Sequence, residues 1–461
     1  MNFTFLIALG IYLAVFAGIS IYDLKKISGF NDYSVAGRTQ GTFAVIMTLL
    51  ATVVGASTTI GITDTVYSIG FPGIWWLMFG AIGLILQSLI LSKRVRAMEA
   101  DTLPDLAGKL VGKYAEIVLA LIIVISWIGV IAGQLLAMNS LITYAIGRNS
   151  RVVFLIVSLI VICYTLVGGQ LSVVKTDKVQ LIIILSSIII SCIYLYVVKG
   201  GDMAGVTSGI ELLNKDYKIS NLFTQFFVIG GVYFLGPDIM SRNFLSKNES
   251  TAKRSALIAG LALACFSVLI TMIGMWVRYN VTPAELGDSS ALMYVVGILP
   301  KWISVILVFG LLSAILSSTD TCIINASTIF VKDILRKDSV AAVRVTVAVI
   351  GVIAFVLAAL GRGDIMSLLT GAYSIYTPGV IFPLLVAILA HNKNGVRMGI
   401  WLMAVAAGGV VGILGSYFPN IFKEVGVPET ILPYMTLIGM GFSLLISLAS
   451  VRWKAENDKE K

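Results

Sequence analysis

The chain is 461 residues long, 58% of them hydrophobic and only 12% charged, with a mean hydropathy of +0.97. Soluble domains carry about 25% charged residues, so this composition excludes a water-soluble enzyme or a nucleic-acid-binding protein despite the net charge of +9. A transmembrane helix needs about 20 apolar residues, and the length leaves room for roughly a dozen spans. The composition predicts an all-α polytopic membrane protein without a soluble domain.

We predict thirteen apolar spans. In chain order they cover residues 3–22, 42–66, 72–92, 115–144, 151–168, 178–198, 221–240, 255–277, 302–330, 340–361, 366–390, 397–418 and 430–451. With an external N-terminus, 24 of the 33 Lys and Arg residues fall in internal loops. Cytoplasmic loops are enriched in these residues, so the bias predicts the N-terminus outside and the C-terminus inside. The first span has no basic residue before it, which favours an uncleaved helix over a signal peptide.

The cysteines and the single histidine do not suggest a metal or disulfide site. Cys163, Cys192, Cys265 and Cys322 lie inside apolar runs, as is typical of small buried hydrophobic residues. His391 lies at the edge of a loop. A membrane enzyme would need convergent His, Cys or paired carboxylate groups near a cavity. The sequence therefore predicts a protein that is not an enzyme and that has no organic cofactor.

Two spans contain residues that interrupt a helix in mid-membrane. The second has glycines and clustered hydroxyls at residues 55–61, and the seventh has a Gly-Gly pair followed by Gly-Pro at 236–237. Pro237 removes a backbone donor, and glycine lowers helix propensity. Because the breaks are five spans apart, they predict a five-plus-five inverted repeat with a discontinuous first helix in each repeat. The alternative is that the glycines only permit close helix packing.

This repeat divides the chain into four predicted parts. Residues 1–41 form an extra N-terminal helix and an inner loop, and residues 42–198 form the first repeat. Residues 199–391 form an outer loop and the second repeat, and residues 392–461 form two C-terminal helices and a short tail. No linker rich in Ser or Pro separates these parts, so we expect one continuous bundle.

The ninth span carries a cluster of neutral oxygen atoms. Ser317 and Ser318 follow Ala314 by three and four residues, so both hydroxyls can lie beside the Ala314 carbonyl on one helix face. Such oxygens suit a small hard cation. Asp320, and Asp177 at the inner end of span six, are carboxylates at depth, where charge is costly. The alternatives are hydroxyls bonded back to their own helix and, for Asp177, a helix cap.

Four stretches resemble motifs of the sodium:solute symporter family, which includes sodium-coupled sugar, proline, pantothenate and sialic acid transporters. They read DYSVAGR (32–38), YTLVGGQLSVVKTDKVQ (164–180), FLGPDIMSRNFLSKNESTAKR (234–254) and SAILSSTDT (313–321). Ala36 stands where the first motif usually has glycine. The resemblance extends from about residue 30 to about residue 400. It implies a leucine-transporter-type fold in which the first span precedes a core of five plus five helices.

The resemblance also implies ion sites. The principal sodium of the family lies between the first and eighth core helices, and the matching carbonyls and hydroxyls belong to Ala51, Val54, Ala314, Ser317 and Ser318. Some members bind a second sodium, and the positions that match this site are Asp177, Ser317, Asp320 and Thr321. Sodium is the expected coupling ion.

The residues around the breaks predict a compact solute. Small hydroxyl side chains follow the first break, where sugar transporters of the family carry long polar ones. We expect no basic residue at depth near either break, so helix dipoles and hydroxyls would hold an anion. This favours a compact carboxylate or zwitterion, such as an organic acid or amino acid. The candidate substrate-binding residues are Gly55, Ser57, Thr58, Thr59, Gln225, Gly230, Tyr233 and Tyr373.

The leading hypothesis is a sodium-coupled symporter of the plasma membrane (the cell inner membrane in a bacterium) that imports its solute by alternating access. Two alternatives stay open: a proton-coupled symporter that uses Asp177 and Asp320, and a sodium-coupled sugar or vitamin transporter. A transporter-like sensor is disfavoured because no signalling domain follows the last span. The expected partners are the solute, sodium and membrane lipid, with no nucleic acid and no obligate protein partner.

Overall fold

Helices make up nearly all of the structure. The computed structural model describes residues 2–147, 150–360, 364–391, 395–424 and 426–452. The main helices are α1 (Asn2–Leu24), α2 (Thr42–Val53), α3 (Ile62–Ile69), α4 (Trp75–Ile90), α5 (Lys113–Ile146), α6 (Arg151–Ile193), α7 (Ile219–Leu235), α8 (Pro237–Phe244), α9 (Glu249–Asn280), α10 (Lys301–Ile329), α11 (Val340–Ala359), α12 (Ile365–Ala390), α13 (Met398–Tyr417) and α14 (Met435–Ser450). Short helices between them are Phe30–Val35, Ser92–Ala97, Leu103–Leu110, Met203–Ser208, Pro283–Leu286, Ala291–Ile298 and Pro419–Glu424.

The number of membrane crossings depends on how the long helices are divided. Eleven helices in the described ranges are long and apolar enough to cross a membrane, or twelve if α2 and the bent segment after it count as one span. One of the eleven, at residues 151–199, has 49 residues, about 74 Å at 1.5 Å per residue. That is more than twice the bilayer core of about 30 Å. The total of thirteen and the orientation remain predictions.

Gly169 divides this long helix at the place where the sequence predicts two spans. Its φ of 58° and ψ of −166° are not helical, and they fall in a region that only glycine adopts readily. A Cβ atom here would also lie 2.7 Å from the Tyr33 ring. The glycine therefore permits both the change of direction and the close approach of the segment before α2.

The bundle has a buried centre and an apolar periphery. Almost every residue of α10 from the middle of the helix onward is buried, and α10 packs against α2, α5 and α6. On the outside, α1, α6, α11 and α13 expose large apolar side chains, including Ile11, Val152, Val345 and Val410. Exposed apolar surface of this extent indicates contact with lipid. The last two helices, α13 and α14, pack on each other and on α12.

Both predicted breaks are present. The first follows α2: Val54 has φ −90° and ψ 92°, and the chain continues as a π-helix at residues 57–61 and then α3, bent by 64° from α2. The second lies between α7 and α8, where Gly236 is extended (φ −69°, ψ 147°) and Pro237 begins the new helix. Proline at that position loses no hydrogen bond because the first amides of a helix lack partners anyway.

Candidate functional site

Two serine hydroxyls of α10 lie against the carbonyl end of α2. Ser317 Oγ donates to the Ala51 carbonyl oxygen at 2.7 Å and lies 3.1 Å from the Ala314 carbonyl oxygen. Ser318 Oγ donates to the Thr52 carbonyl oxygen at 2.9 Å. All five residues are buried. The two helices therefore bring five neutral oxygen atoms together, and oxygen ligands are what a hard cation prefers.

Two side chains take the place of these carbonyls as hydrogen-bond acceptors for the backbone amides of the next turn. In a regular helix the Gly55 amide would donate to Ala51 and the Ala56 amide to Thr52. Instead the Gly55 amide donates to Thr58 Oγ1 at 2.8 Å, and the Ala56 amide donates to the side chain of another helix at 3.0 Å. The break thus frees the two carbonyl oxygens that the serines contact.

The acceptor of the hydrogen bond from the Ala56 amide is Oε1 of Gln134, which lies on α5. The sequence analysis missed this residue. Its only signal is a polar side chain in the middle of an apolar span, and nothing local shows that it faces the break. The contact of the Thr52 carbonyl with Ser318 was also missed. The residue at which α2 ends decides which carbonyls face α10, and the sequence does not give this end residue exactly. Within the described chain, no side chain donates to the Val54 carbonyl.

Thr58 and Thr59, which the sequence analysis nominated for solute binding, bond to the break itself. Thr58 Oγ1 lies 3.2 Å from the Val53 carbonyl oxygen and 3.1 Å from that of Gly55. Thr59 Oγ1 donates to the Gly55 carbonyl at 2.8 Å. These hydroxyls therefore bond to backbone carbonyls on both sides of Val54, at the break itself.

A small cavity lies between the two breaks. Its lining includes four candidate substrate residues, Gly55, Ser57, Tyr233 and Tyr373. Ser318 lines it as well, so the cavity adjoins the oxygen cluster described above. The cavity volume is about 30 Å³, the volume of about one water molecule in the liquid. A solute therefore needs the surrounding helices to move apart.

The other two candidates lie elsewhere. Gln225 accepts a hydrogen bond from Tyr217 Oη at 2.7 Å and lines a separate pocket beside Trp76. Gly230 packs against α4, where an added Cβ would lie 3.3 Å from the Phe79 carbonyl oxygen. Gln225 lies far from the cavity because eight residues separate it from Tyr233, which corresponds to about 12 Å along α7.

Next to the oxygen cluster lies a buried arginine. The expectation that no basic residue lies at depth near the breaks is wrong, since Arg242 is only 1% exposed. Its Nη2 donates to Thr52 Oγ1 and to Thr321 Oγ1, both at 2.6 Å, and its Nη1 donates to Gln170 Oε1 at 3.2 Å. The sequence places Arg242 in an inner loop, but the short helix α8 folds it beneath α2.

The four residues proposed for a second ion fall into separate hydrogen-bonded groups. Asp177 accepts from Thr48 and lies 3.5 Å from Arg242 Nη2, and Arg242 also bonds Thr321. Asp320, in contrast, accepts from Tyr164 Oη at 2.7 Å and from Thr165 Oγ1 at 2.6 Å. Ser317 bonds to the α2 carbonyl as described. In the described part of the chain, no hydrogen bond joins these four residues to one another.

Gln134→Met gives a direct test of the break. We expect about threefold to tenfold more sodium to be needed for half-maximal stabilisation, since losing one hydrogen bond lets the Ala56 amide return to the Thr52 carbonyl. The measurement is the melting temperature across a sodium titration at fixed ionic strength. Gln225→Met, in its separate pocket, is the control. Equal titrations for the Gln134 variant and wild type would contradict this role.

Comparisons with known proteins identify the family of this chain. Residues 33–402 match the sequence model of the sodium:solute symporter family. The chain belongs to this family. Its relatives include the osmoregulated proline transporter of Bacillus subtilis, which is 25% identical over 98% of this chain and 96% of that protein. The sodium/pantothenate symporter of Haemophilus influenzae is 24% identical over 72% of each chain.

A solved structure shows the same fold. It is the substrate-bound, outward-open state of a Na⁺-coupled sialic acid symporter, which matches with a TM-score of 0.79 at 15% identity over 95% of each chain. The sodium:solute symporter resemblance, and with it transport, symport and sodium as the expected ion, is confirmed. Members of this family are transporters and not enzymes. The chain is a multi-pass membrane protein.

Proposed function

We propose that this protein is a sodium-coupled symporter that imports a compact carboxylate or zwitterion across the plasma membrane by alternating access. The observation that carries the proposal is the contact between the Ser317 and Ser318 hydroxyls and the freed carbonyls of α2, directly beside the cavity. The relatives named above include a transporter of proline, which is a zwitterion, and one of pantothenate, which is a carboxylate.

The proposed sodium site consists of the carbonyls of Ala51, Val54 and Ala314 and the two serine hydroxyls, with the Thr52 carbonyl as a further oxygen. An ion there would tie α2 to α10, because its ligands come from both helices. Ser318 belongs to the ion site and also lines the cavity, so ion and solute would stabilise the same arrangement. The membrane potential supplies about 2.3 kcal/mol per sodium ion per 100 mV.

Alternating access needs a closure on each side of the cavity. On one side, a vestibule of about 910 Å³ ends at Gly61 and Met366, where an added Cβ on the glycine would lie 2.5 Å from the Met366 sulfur. On the other side, Asp101 pairs with both Arg38 and Lys332, which joins the segment before α2 to the π-helix at residues 330–334 that follows α10. We propose that the first closure opens to the outside and the second to the inside.

Proton coupling is the less favoured candidate. Asp177 is paired with Arg242, and Asp320 accepts two hydrogen bonds from hydroxyl groups. Both carboxylates therefore have partners within the bundle, although Asp177 Oδ1 forms no hydrogen bond in the described part of the chain. The second sodium site stays a proposal for the same four residues, with lower support because they form separate groups.

The test is uptake into proteoliposomes. Candidate solutes come from a thermal-stability screen of amino acids and organic acids in saturating sodium. We expect accumulation only with an inward sodium gradient, and a larger rate when the interior is negative. Potassium replaces sodium in one control, and protein-free liposomes provide the other. Accumulation driven by a pH gradient without sodium would favour the proton-coupled alternative, and no accumulation under any gradient would contradict symport.

A further inference from the structure

The cavity between the breaks contains one carboxylate, Asp238. It is the second residue of α8, directly after Pro237. Among the described residues that line this cavity, Asp238 is the only Asp or Glu, and none is Lys, Arg or His. The ionisable lining of the cavity is therefore acidic, although the sequence analysis expected a site for a compact carboxylate or a zwitterion.

The carboxylate has an oxygen without a partner. Asp238 Oδ1 is buried, and within the described chain it forms no hydrogen bond. Arg242 lies one turn further along α8, but its guanidinium contacts are with Thr52, Thr321, Gln170, Ser241 and Asp177. No ion pair joins Arg242 to Asp238 in this part of the structure.

A structural role explains Asp238 only in part. An acidic residue in the first turn of a helix is stabilised by the helix dipole, and α8 begins at Pro237. Asp238 as a whole is half-buried, but the dipole supplies no donor to its buried Oδ1 atom, and a buried carboxylate oxygen without a donor is costly. Native proteins pair most such groups, and an exception calls for a specific explanation. A ligand that donates hydrogen bonds into the cavity would supply that partner.

We infer that Asp238 is the counter-ion of a protonated amine on the transported solute. The inference rests on the proposed function and narrows its solute class to compounds with an ammonium group, such as amino acids. An ammonium nitrogen donates charge-assisted hydrogen bonds to a carboxylate. The polar lining that remains, chiefly Ser57 and Gln134, provides neutral groups for the other end of the solute. A carboxylate without an amine would face Asp238 as a like charge.

The test compares matched probes on the purified full-length protein in saturating sodium. The probes are L-proline with cyclopentanecarboxylate, L-alanine with propionate, and a panel of the other amino acids and simple primary and secondary amines. Binding is measured by calorimetry and by the shift in melting temperature. We expect at least one amine probe to bind wild type and its deaminated analogue to bind at least about 30-fold more weakly.

The variants are Asp238→Asn and Asp238→Glu, with Asp216→Asn in an exposed loop as the matched control. Asp238→Asn should lose amine binding but keep stabilisation by sodium, which shows that it is folded. Asp238→Glu should recover part of the binding. Amine binding that persists in Asp238→Asn, equal binding of a deaminated analogue to wild type, or sodium stabilisation without a response to any amine would overturn the inference. A wild-type protein whose melting temperature does not rise with sodium would instead contradict the proposed function.

Discussion

Replacing Ser317 and Ser318 together by alanine is expected to abolish the rise in melting temperature that sodium gives the wild-type protein. The substitutions remove the two hydroxyl oxygens of the proposed ion site and leave the carbonyls of α2 in place. A ligand present at 100 times its dissociation constant stabilises the folded state by about 2.7 kcal/mol, and this is the effect that should disappear. The measurement compares sodium with potassium and choline at fixed ionic strength.

The same experiment separates ion binding from helix packing. Both serines also bond α10 to the carbonyls of α2, and hydrogen bonds between membrane helices contribute about 0.6–2 kcal/mol. Loss of this packing would lower the melting temperature equally in every salt. Ser304→Ala makes the same chemical change near the start of α10, thirteen residues before Ser317, and should keep the sodium response. A double variant that still responds to sodium would place the ion elsewhere, with the surroundings of Asp177 as the next candidate.

The sequence predicted the features that arise from local chemistry. Proline cannot continue a helix and glycine weakens one, so the break at Gly236 and Pro237 is visible without a structure. The spacing of Ser317 and Ser318 from Ala314 is likewise a property of one helix. In the structure Ser317 Oγ lies 3.1 Å from the Ala314 carbonyl oxygen, whereas Ser318 Oγ bonds to the Thr52 carbonyl oxygen. The family motifs predicted the fold for a similar reason, because they mark short stretches in a fixed order.

The sequence could not predict features that depend on contacts between distant segments. Gln134 accepts a hydrogen bond from an amide that is 78 residues away in the sequence. Arg242 donates to the hydroxyl of Thr52, which is 190 residues away. Their positions depend on how α5 and α8 pack against α2. The hydrogen bonds of Thr58 at the break and the position of Asp238 in the cavity lining were missed for a related reason. The side of a broken helix that faces a cavity is set by the packing of its neighbours, and residue type alone does not reveal it.

Separating Arg242 from Asp177 is expected to destabilise the protein strongly. Removing one partner of a buried ion pair leaves the other charge uncompensated and typically costs about 3–5 kcal/mol. We expect this loss for Arg242→Gln, which leaves the Asp177 carboxylate with Thr48 as its hydrogen-bond donor. Asp177→Asn should cost less, because the guanidinium keeps the hydroxyls of Thr52 and Thr321 as acceptors.

The double variant decides whether the two charges act as a pair. Arg242→Gln with Asp177→Asn should be more stable than Arg242→Gln alone, since neither charge of this pair is then left without the other. A double-variant cycle of melting temperatures measures the difference. Glu429→Gln, which breaks an exposed pair with Lys423, is the control and should change stability little. A double variant no more stable than Arg242→Gln would contradict the pairing. Because Thr52 bonds both Arg242 and Ser318, Arg242→Gln should also weaken the response to sodium, and this links the charge pair to the ion site.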